Sequence, residues 1–198
     1  MIPEFFTQKR PHGGMTPAEY RRYFEMEVAR ARQADVASQD LHAQYLPLNL
    51  HRTVRIEATY APSKKVQAAA QEIKGPQLWM VLTEPWCGDS AQNLPYIAKI
   101  AACNASVDLR MLLRDQNPDI MDAYLTNGTR SIPKLVSFDW QGRELFQWGP
   151  RPQPAVELFR QLQESGAPRE DVMHKLHLWY ARNRGRALEE EFIALLTA

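Results

Sequence analysis

Two hydrophobic periods divide this chain. Before residue 76 the apolar positions recur at helical spacing. Tyr20, Tyr23, Phe24, Met26 and Val28 form one face of a helix predicted to run from Thr16 to about Val36. Thr16 is placed to cap it, Pro17 suits the first helical position, and Glu19 can close a capping box. A short helix over 40–45 is expected to end at Pro47. Residues 49–58 read two ways: Asn49 could cap a helix carrying Leu50, Val54 and Ala58, or Val54 and Ile56 could alternate as in a strand. The helix is preferred. Ser63 then caps a helix with Val66, Ala69, Ala70 and Ile73 inward, closed by Gly75-Pro76. Residues 1–15, rich in Pro, Gly and polar side chains, read as an arm.

From Gln77 the period changes to strands and helices in turn. The apolar run Leu78-Trp79-Met80-Val81-Leu82 predicts a buried strand over 78–83. A helix over 90–102 follows, kinked at Pro95. A strand over 107–113 and a short helix over 118–125 come next. Strands over 134–138 and 144–148 flank Asp139-Trp140-Gln141-Gly142, a hairpin signal. An amphipathic helix over 153–164 offers Val156, Leu158, Phe159 and Leu162 to the sheet. Residues 169–196 are helical again, with Val172, Leu176, Trp179 and Tyr180, then Phe192, Leu195 and Leu196, and Gly185 splitting or bending the run.

Composition narrows the classes open to such a chain. Its 198 residues, 44% hydrophobic and 24% charged, suit a soluble globular protein with a good core. A net charge of +1 gives no general reason to expect nucleic acid or an anionic membrane surface as partner. No apolar run approaches the ~18 residues of a membrane span, and the N-terminus lacks the pattern of a signal peptide, so a cytoplasmic location is expected. Two cysteines are too few for a disulfide scaffold. A helix between Cys87 and Cys103 would hold them roughly 20 Å apart, too far for a disulfide, and Cys103 is expected to be buried as a small hydrophobe. The histidines show no metal-ligand spacing, and no cofactor is expected. The cluster His174, Lys175, His177, Arg182, Arg184 and Arg186 reads as a solvated helix face.

The segment Trp86-Cys87-Gly88-Asp89-Ser90 carries the candidate chemistry. It puts a thiol between a strand and a helix N-terminus, where backbone N–H groups and the helix dipole favour thiolate. Asp89 opposes that effect. The balance predicts a moderately activated thiol, in the upper part of the ~3.5–7.5 range of helix-terminal cysteines. Glu84 and Asp89 could be a carboxylate pair for acid–base work, although loop and cap roles fit them better.

The order strand, Trp-Cys-Gly, kinked helix, strand, helix, Ile-Pro, hairpin, helix resembles the thioredoxin fold. Trp86-Cys87-Gly88 is similar to the first half of the W-C-G-P-C motif, and Pro95 matches that family's helix-kinking proline. Asp115-Gln116-Asn117-Pro118 resembles the segment after the central strand. Ile132-Pro133 stands where thioredoxins carry a cis-proline facing the active cysteine, and Gly149 resembles the glycine after the last hairpin strand. The resemblance covers roughly residues 77–165. Thr83-Glu84-Pro85-Trp86-Cys87-Gly88-Asp89 is closer still to a bacterial thioredoxin-like group with W-C-G-D at this place. It implies an α/β thioredoxin fold, a central mixed sheet flanked by helices, occupying 61–166. Helical extensions would cover 1–60 and 167–198, the latter packed on the domain, with the choice between monomer and homodimer left open.

The departures define the expected chemistry. Ser90 replaces the resolving cysteine, Asp89 the proline, and Val81 the buried carboxylate that assists the resolving thiol. The resemblance therefore implies a monothiol thiol–disulfide oxidoreductase. Cys87 would form mixed disulfides that an external protein or low-molecular-weight thiol resolves. Ser90 would donate to the thiolate. Ile132 and Pro133 would present backbone to an extended substrate, and Trp86, Gly88 and Asp89 would line the docking surface. A non-catalytic binding module is the alternative. A glutathione- and iron–sulfur-binding glutaredoxin-like protein is a weaker third, because Gln147-Trp148-Gly149-Pro150-Arg151 replaces that family's Gly-Gly element. The substrate, the resolving thiol and the direction of exchange are not legible in the sequence.

Overall fold

The computed structural model describes residues 2–33 and 41–198. Helices α1 (Glu4–Thr7), α2 (Pro17–Gln33), α3 (Leu41–Thr59) and α4 (Lys64–Gln71) precede the first strand. Then come β1 (Gln77–Thr83), α5 (Gly88–Ala101), β2 (Val107–Leu113), α6 (Pro118–Asp122), β3 (Lys134–Asp139), β4 (Glu144–Trp148), α7 (Gln153–Glu164), α8 (Arg169–Asn183) and α9 (Arg186–Thr197). The expected end of α2 near Val36, and Asp40, lie outside the described residues.

The sheet has the order β2-β1-β3-β4. β1 runs parallel to β2 and antiparallel to β3, and β3 pairs antiparallel with β4. The central β1 is covered on both faces, which is why it reads as an unbroken apolar run. Alternate residues feed two cores. Trp79 and Val81 face the cluster built with α2, α3, α5 and α9. Leu78, Met80 and Leu82 face the cluster built with α1 and α6. This is the mixed, helix-flanked α/β sheet that the sequence predicts.

Local signals match the expected starts. Thr16 N–H donates to Glu19 Oε2 at 2.8 Å, and Glu19 N–H returns to Thr16 Oγ1 at 3.3 Å, closing the capping box. Ser63 Oγ accepts from Val66 N–H, and Gly185 divides α8 from α9.

Three expectations change. The break at Pro47 is absent: α3 runs through it from Leu41 to Thr59. Asn49 is therefore no cap. It is buried mid-helix, and its Nδ2 donates to the carbonyls of Pro85 and Trp86, at 3.2 and 2.9 Å. These tertiary bonds tie α3 to the loop before Cys87 and outweigh the one backbone bond a proline removes. The N-terminal arm is packed, not loose. Phe5 and Phe6 are buried against Phe138, and Met15 bridges to Met111 at the edge of the sheet. Cys103 is only partly buried and donates to the Lys99 carbonyl.

The C-terminal helices complete the fold. Phe192 of α9, fully buried, meets Trp79, Phe146 and Trp148 with ring centroids 5.6, 6.4 and 5.7 Å away. Aromatic side chains of this size dominate core energetics. Phe192→Ala is expected to cost about 3–5 kcal/mol, read as a lower urea midpoint at an unchanged slope.

Candidate functional site

Cys87 is the N-cap of α5. Its Sγ accepts from Ser90 N–H at 3.4 Å, and its S–H donates to the Ile132 carbonyl at 3.3 Å. The Ile132-Pro133 bond is cis, and the carbonyl that meets the thiol is the one before it. Gly149 holds that loop close. Its φ is +118°, and a Cβ there would lie 2.1 Å from the Pro133 carbonyl oxygen. Cys87, Ser90, Ile132 and Pro133 thus come together. Cys103 lies beyond the far end of α5, and both thiols are free.

The thiol is not activated in this structure, contrary to the expectation from its helix-terminal place. Burial, then the nearby Asp89 carboxylate, pushes its pKa up to about 11, against the Ser90 and backbone hydrogen bonds that favour thiolate. Only 8% of Cys87 is exposed, and desolvation of the charged form outweighs the dipole.

Asp89 explains much of the surrounding architecture. Its side chain is 8% exposed and forms a 2.6 Å ion pair with Arg151, which follows the cis Gly149-Pro150 bond. Its other oxygen accepts from Tyr180 Oη of α8 at 2.8 Å. Asn93 Nδ2 donates to the Asp89 carbonyl and to Tyr180 Oη. The guanidinium of Arg151 in turn lies 4.1 Å from the Phe159 ring of α7. Glu84 is separate from this cluster: it accepts the Asp115 N–H at 2.9 Å, and burial raises its pKa. The two acids form no catalytic pair.

Ser90 sits at the third helical position. It accepts from Thr83 Oγ1 at 2.9 Å, and Thr83 Oγ1 lies 3.4 Å from Tyr20 Oη of α2. A chain of neutral hydroxyls therefore ends at Ser90, whose N–H meets the thiol. Trp86 is partly buried. His42 stacks on it with centroids 4.2 Å apart, and the Arg114 guanidinium lies 4.7 Å from its ring.

Gly88 is covered too. A Cβ there would lie 2.9 Å from Cε1 of His177. His177 is half-buried, not part of a solvated helix face, and its Nδ1 lies 3.3 Å from Gln92 Nε2. Burial, then Arg52, Arg151 and His174, pulls its pKa down to about 3. Sequence reasoning missed Tyr20, His42, Arg52, Arg151, His177 and Tyr180. Each comes from a distant segment, and only the period-matched burial of Tyr20 and Tyr180 left a trace in the pattern.

A mixed sheet carrying a cysteine helix cap opposite a cis-proline defines a thioredoxin-fold protein. A family model described as thioredoxin matches residues 37–164, more than half of the chain, and the chain belongs to that thioredoxin family. The match takes in α3. Among solved structures, an HIV epitope-scaffold is similar over 93% of this chain and 93% of its own, at 17% identity and a TM-score of 0.56. A protein of unknown function from Pseudomonas aeruginosa is similar over 83% of this chain and 90% of its own, at 19% identity and a TM-score of 0.56. Both show the fold alone. No curated protein matches the chain. No described helix is long and apolar enough to cross a membrane.

Asp89→Asn is expected to lower stability by about 3 kcal/mol, because Arg151 is left half-compensated, and to lower the Cys87 pKa by removing a negative neighbour. Urea denaturation and a thiol titration check the two signs together. The imidazole of His177 supplies a pH test. Below its ordinary value of about 6.5 the unfolded chain binds a proton there that the folded chain refuses. Stability is therefore expected to fall on acidification from about pH 6.5 towards 3, by up to about 1.4 kcal/mol per unit. His177→Gln should flatten that limb and leave stability above pH 7 without this slope.

Proposed function

We propose that this protein is a monothiol thiol–disulfide exchange module acting through Cys87. One observation carries the reading: a single thiol caps α5 and bonds the carbonyl before a cis-proline, with the second cysteine beyond the opposite end of the helix. After losing its proton to solvent, the Cys87 thiolate attacks a disulfide RS–SR. A Cys87–S–S–R bond forms, the R sulfurs separate, and RS⁻ leaves with the electron pair. Ser90 cannot resolve the product. An external thiolate attacks the R sulfur, and Cys87 departs as thiolate, with the Ser90 N–H placed to receive the charge. Burial disfavours the thiolate but not the neutral thiol or mixed disulfide, which fits slow exchange with a long-lived adduct.

On this reading the W-C-G-D-S motif belongs to a bacterial cytoplasmic group, with 61–166 as the redox unit and the flanking helices as packed extensions. Trp86, Gly88 and Ile132 would contact the partner, with Asp89 acting from beneath them. A second reading, a binding module without turnover, is favoured by the raised pKa of Cys87 and by the His42–Trp86–Arg114 stack.

The alkylation rate of Cys87 is expected to climb with pH and to inflect above about 8.5, the value of free cysteine. Incubation with a small disulfide should add one adduct mass at Cys87, removable by excess thiol and absent in Cys87→Ser. No adduct with any disulfide would overturn the exchange reading, and full partner binding by Cys87→Ser would establish the second.

A further inference from the structure

A line of three hydroxyls leads from α2 to the start of α5. Thr83 Oγ1 donates to Ser90 Oγ at 2.9 Å. That uses the one proton of the Thr83 hydroxyl, so at its 3.4 Å contact with Tyr20 the phenol is the donor. The Ser90 proton is left for another acceptor, and the Ser90 hydroxyl bonds the Cys87 sulfur. Every O–H in the line therefore points toward Sγ. The S–H itself turns the other way, to the Ile132 carbonyl. Tyr20, Thr83 and Ser90 are all buried, and burial raises the Tyr20 pKa, so the line keeps its protons and acts as a donor.

A cavity of about 30 Å³ borders this line, between α2, α3 and α5. Tyr20 and Ser90, the two ends of the line, both form part of its wall, together with Thr53 and the Arg21–Glu57 ion pair. Pro95 is another part of the wall. It has no N–H to return to the carbonyl of Ala91, which also lines the cavity. A space of this volume has room for one water, and a wall with several polar groups is where a buried water is held.

We propose that Tyr20, Thr83 and Ser90 are a proton relay between a water site in this cavity and Cys87. The relay rests on the exchange reading and gives its second step a source of protons. An external thiolate attacks the R sulfur of the mixed disulfide, the S–S bond breaks, and the Cys87 sulfur leaves with the electron pair. Ser90 O–H gives its proton to that sulfur, Thr83 refills Ser90, and Tyr20 refills Thr83. The cavity water refills Tyr20 and is reprotonated from solvent. One solvent proton enters, the thiol is restored, and no charge stays in a poorly solvated place. Tyr20 touches no reacting atom and is a positioning residue. It holds the Thr83 hydroxyl in the orientation that leaves the Ser90 proton for the sulfur.

The test loads Cys87 with a small disulfide and times release of the adduct by dithiothreitol, read by mass spectrometry. Ser90→Ala, which keeps the backbone N–H, is expected to slow release about ten-fold, the effect of about one hydrogen bond. Tyr20→Phe and Thr83→Val should each slow it about three-fold or more. The double variant separates relay from structure. Tyr20 acts only through Ser90, so adding Tyr20→Phe to Ser90→Ala should change release by less than about two-fold, whereas a merely structural loss would add in full. At equal thiolate concentration the unaltered protein should release more slowly in heavy water, and Ser90→Ala should lose that isotope effect. Tyr23→Phe, a half-buried hydroxyl on the same helix, should leave release within about two-fold. If Tyr20→Phe does not fold, Thr83→Val with and without Ser90→Ala decides instead. Release indifferent to Tyr20 and Thr83, a Tyr20→Phe effect that persists in Ser90→Ala, or an isotope effect that survives Ser90→Ala overturns the relay alone. No adduct with any disulfide overturns the exchange reading instead.

Discussion

A carboxylate buried in the first turn of a helix must be compensated, and in this protein the compensation is supplied from two separate segments. Asp89 takes a guanidinium from the loop after β4 and a hydroxyl from α8, while Asn93, one turn along, donates to the Asp89 carbonyl and to that hydroxyl. Removing any partner would leave charge stranded in a poorly solvated place. The arrangement fixes α8 against the start of α5, and α8 brings His177 down on Gly88. The C-terminal extension is in this sense part of the wall around Cys87.

The same carboxylate sets the character of the thiol. A helix N-terminus favours thiolate, but Asp89 and the helices packed over the site exclude water and add a negative charge. The result is a sulfur that stays neutral near pH 7. A neutral buried sulfur suits a slow acceptor of mixed disulfides better than a fast reductant. The hydroxyl chain from Tyr20 through Thr83 to Ser90 is consistent with that reading: it can satisfy the site by hydrogen bonding without introducing charge.

The strands and most helices were legible because their signals are local. The capping box at Thr16, the apolar run of β1, the hairpin at Asp139 and the break at Gly185 each act within a few residues. Pro47 misled because its cost is local while the gain is tertiary: Asn49 bonds the loop before Cys87 from the next turn. The site divided along the same line. Cys87, Ser90 and the cis-proline follow from motif and order. Arg52, Arg151 and Tyr180 do not, because nothing in their own neighbourhood announces the distant partner each one meets. The basic cluster is solvated as expected at His174, Lys175, Arg182, Arg184 and Arg186, and only His177 turns inward, because sequence shows a helix face but not what lies against it.

Phe192 lies at the centre of one sheet face, yet it follows Trp79 by roughly 110 residues. At the usual pace of synthesis, α9 emerges on the order of ten seconds after β1. Until then Trp79, Phe146 and Trp148 lack Phe192, the ring that meets all three. The face of the sheet that Phe192 covers is therefore closed last, by the final helix of the chain.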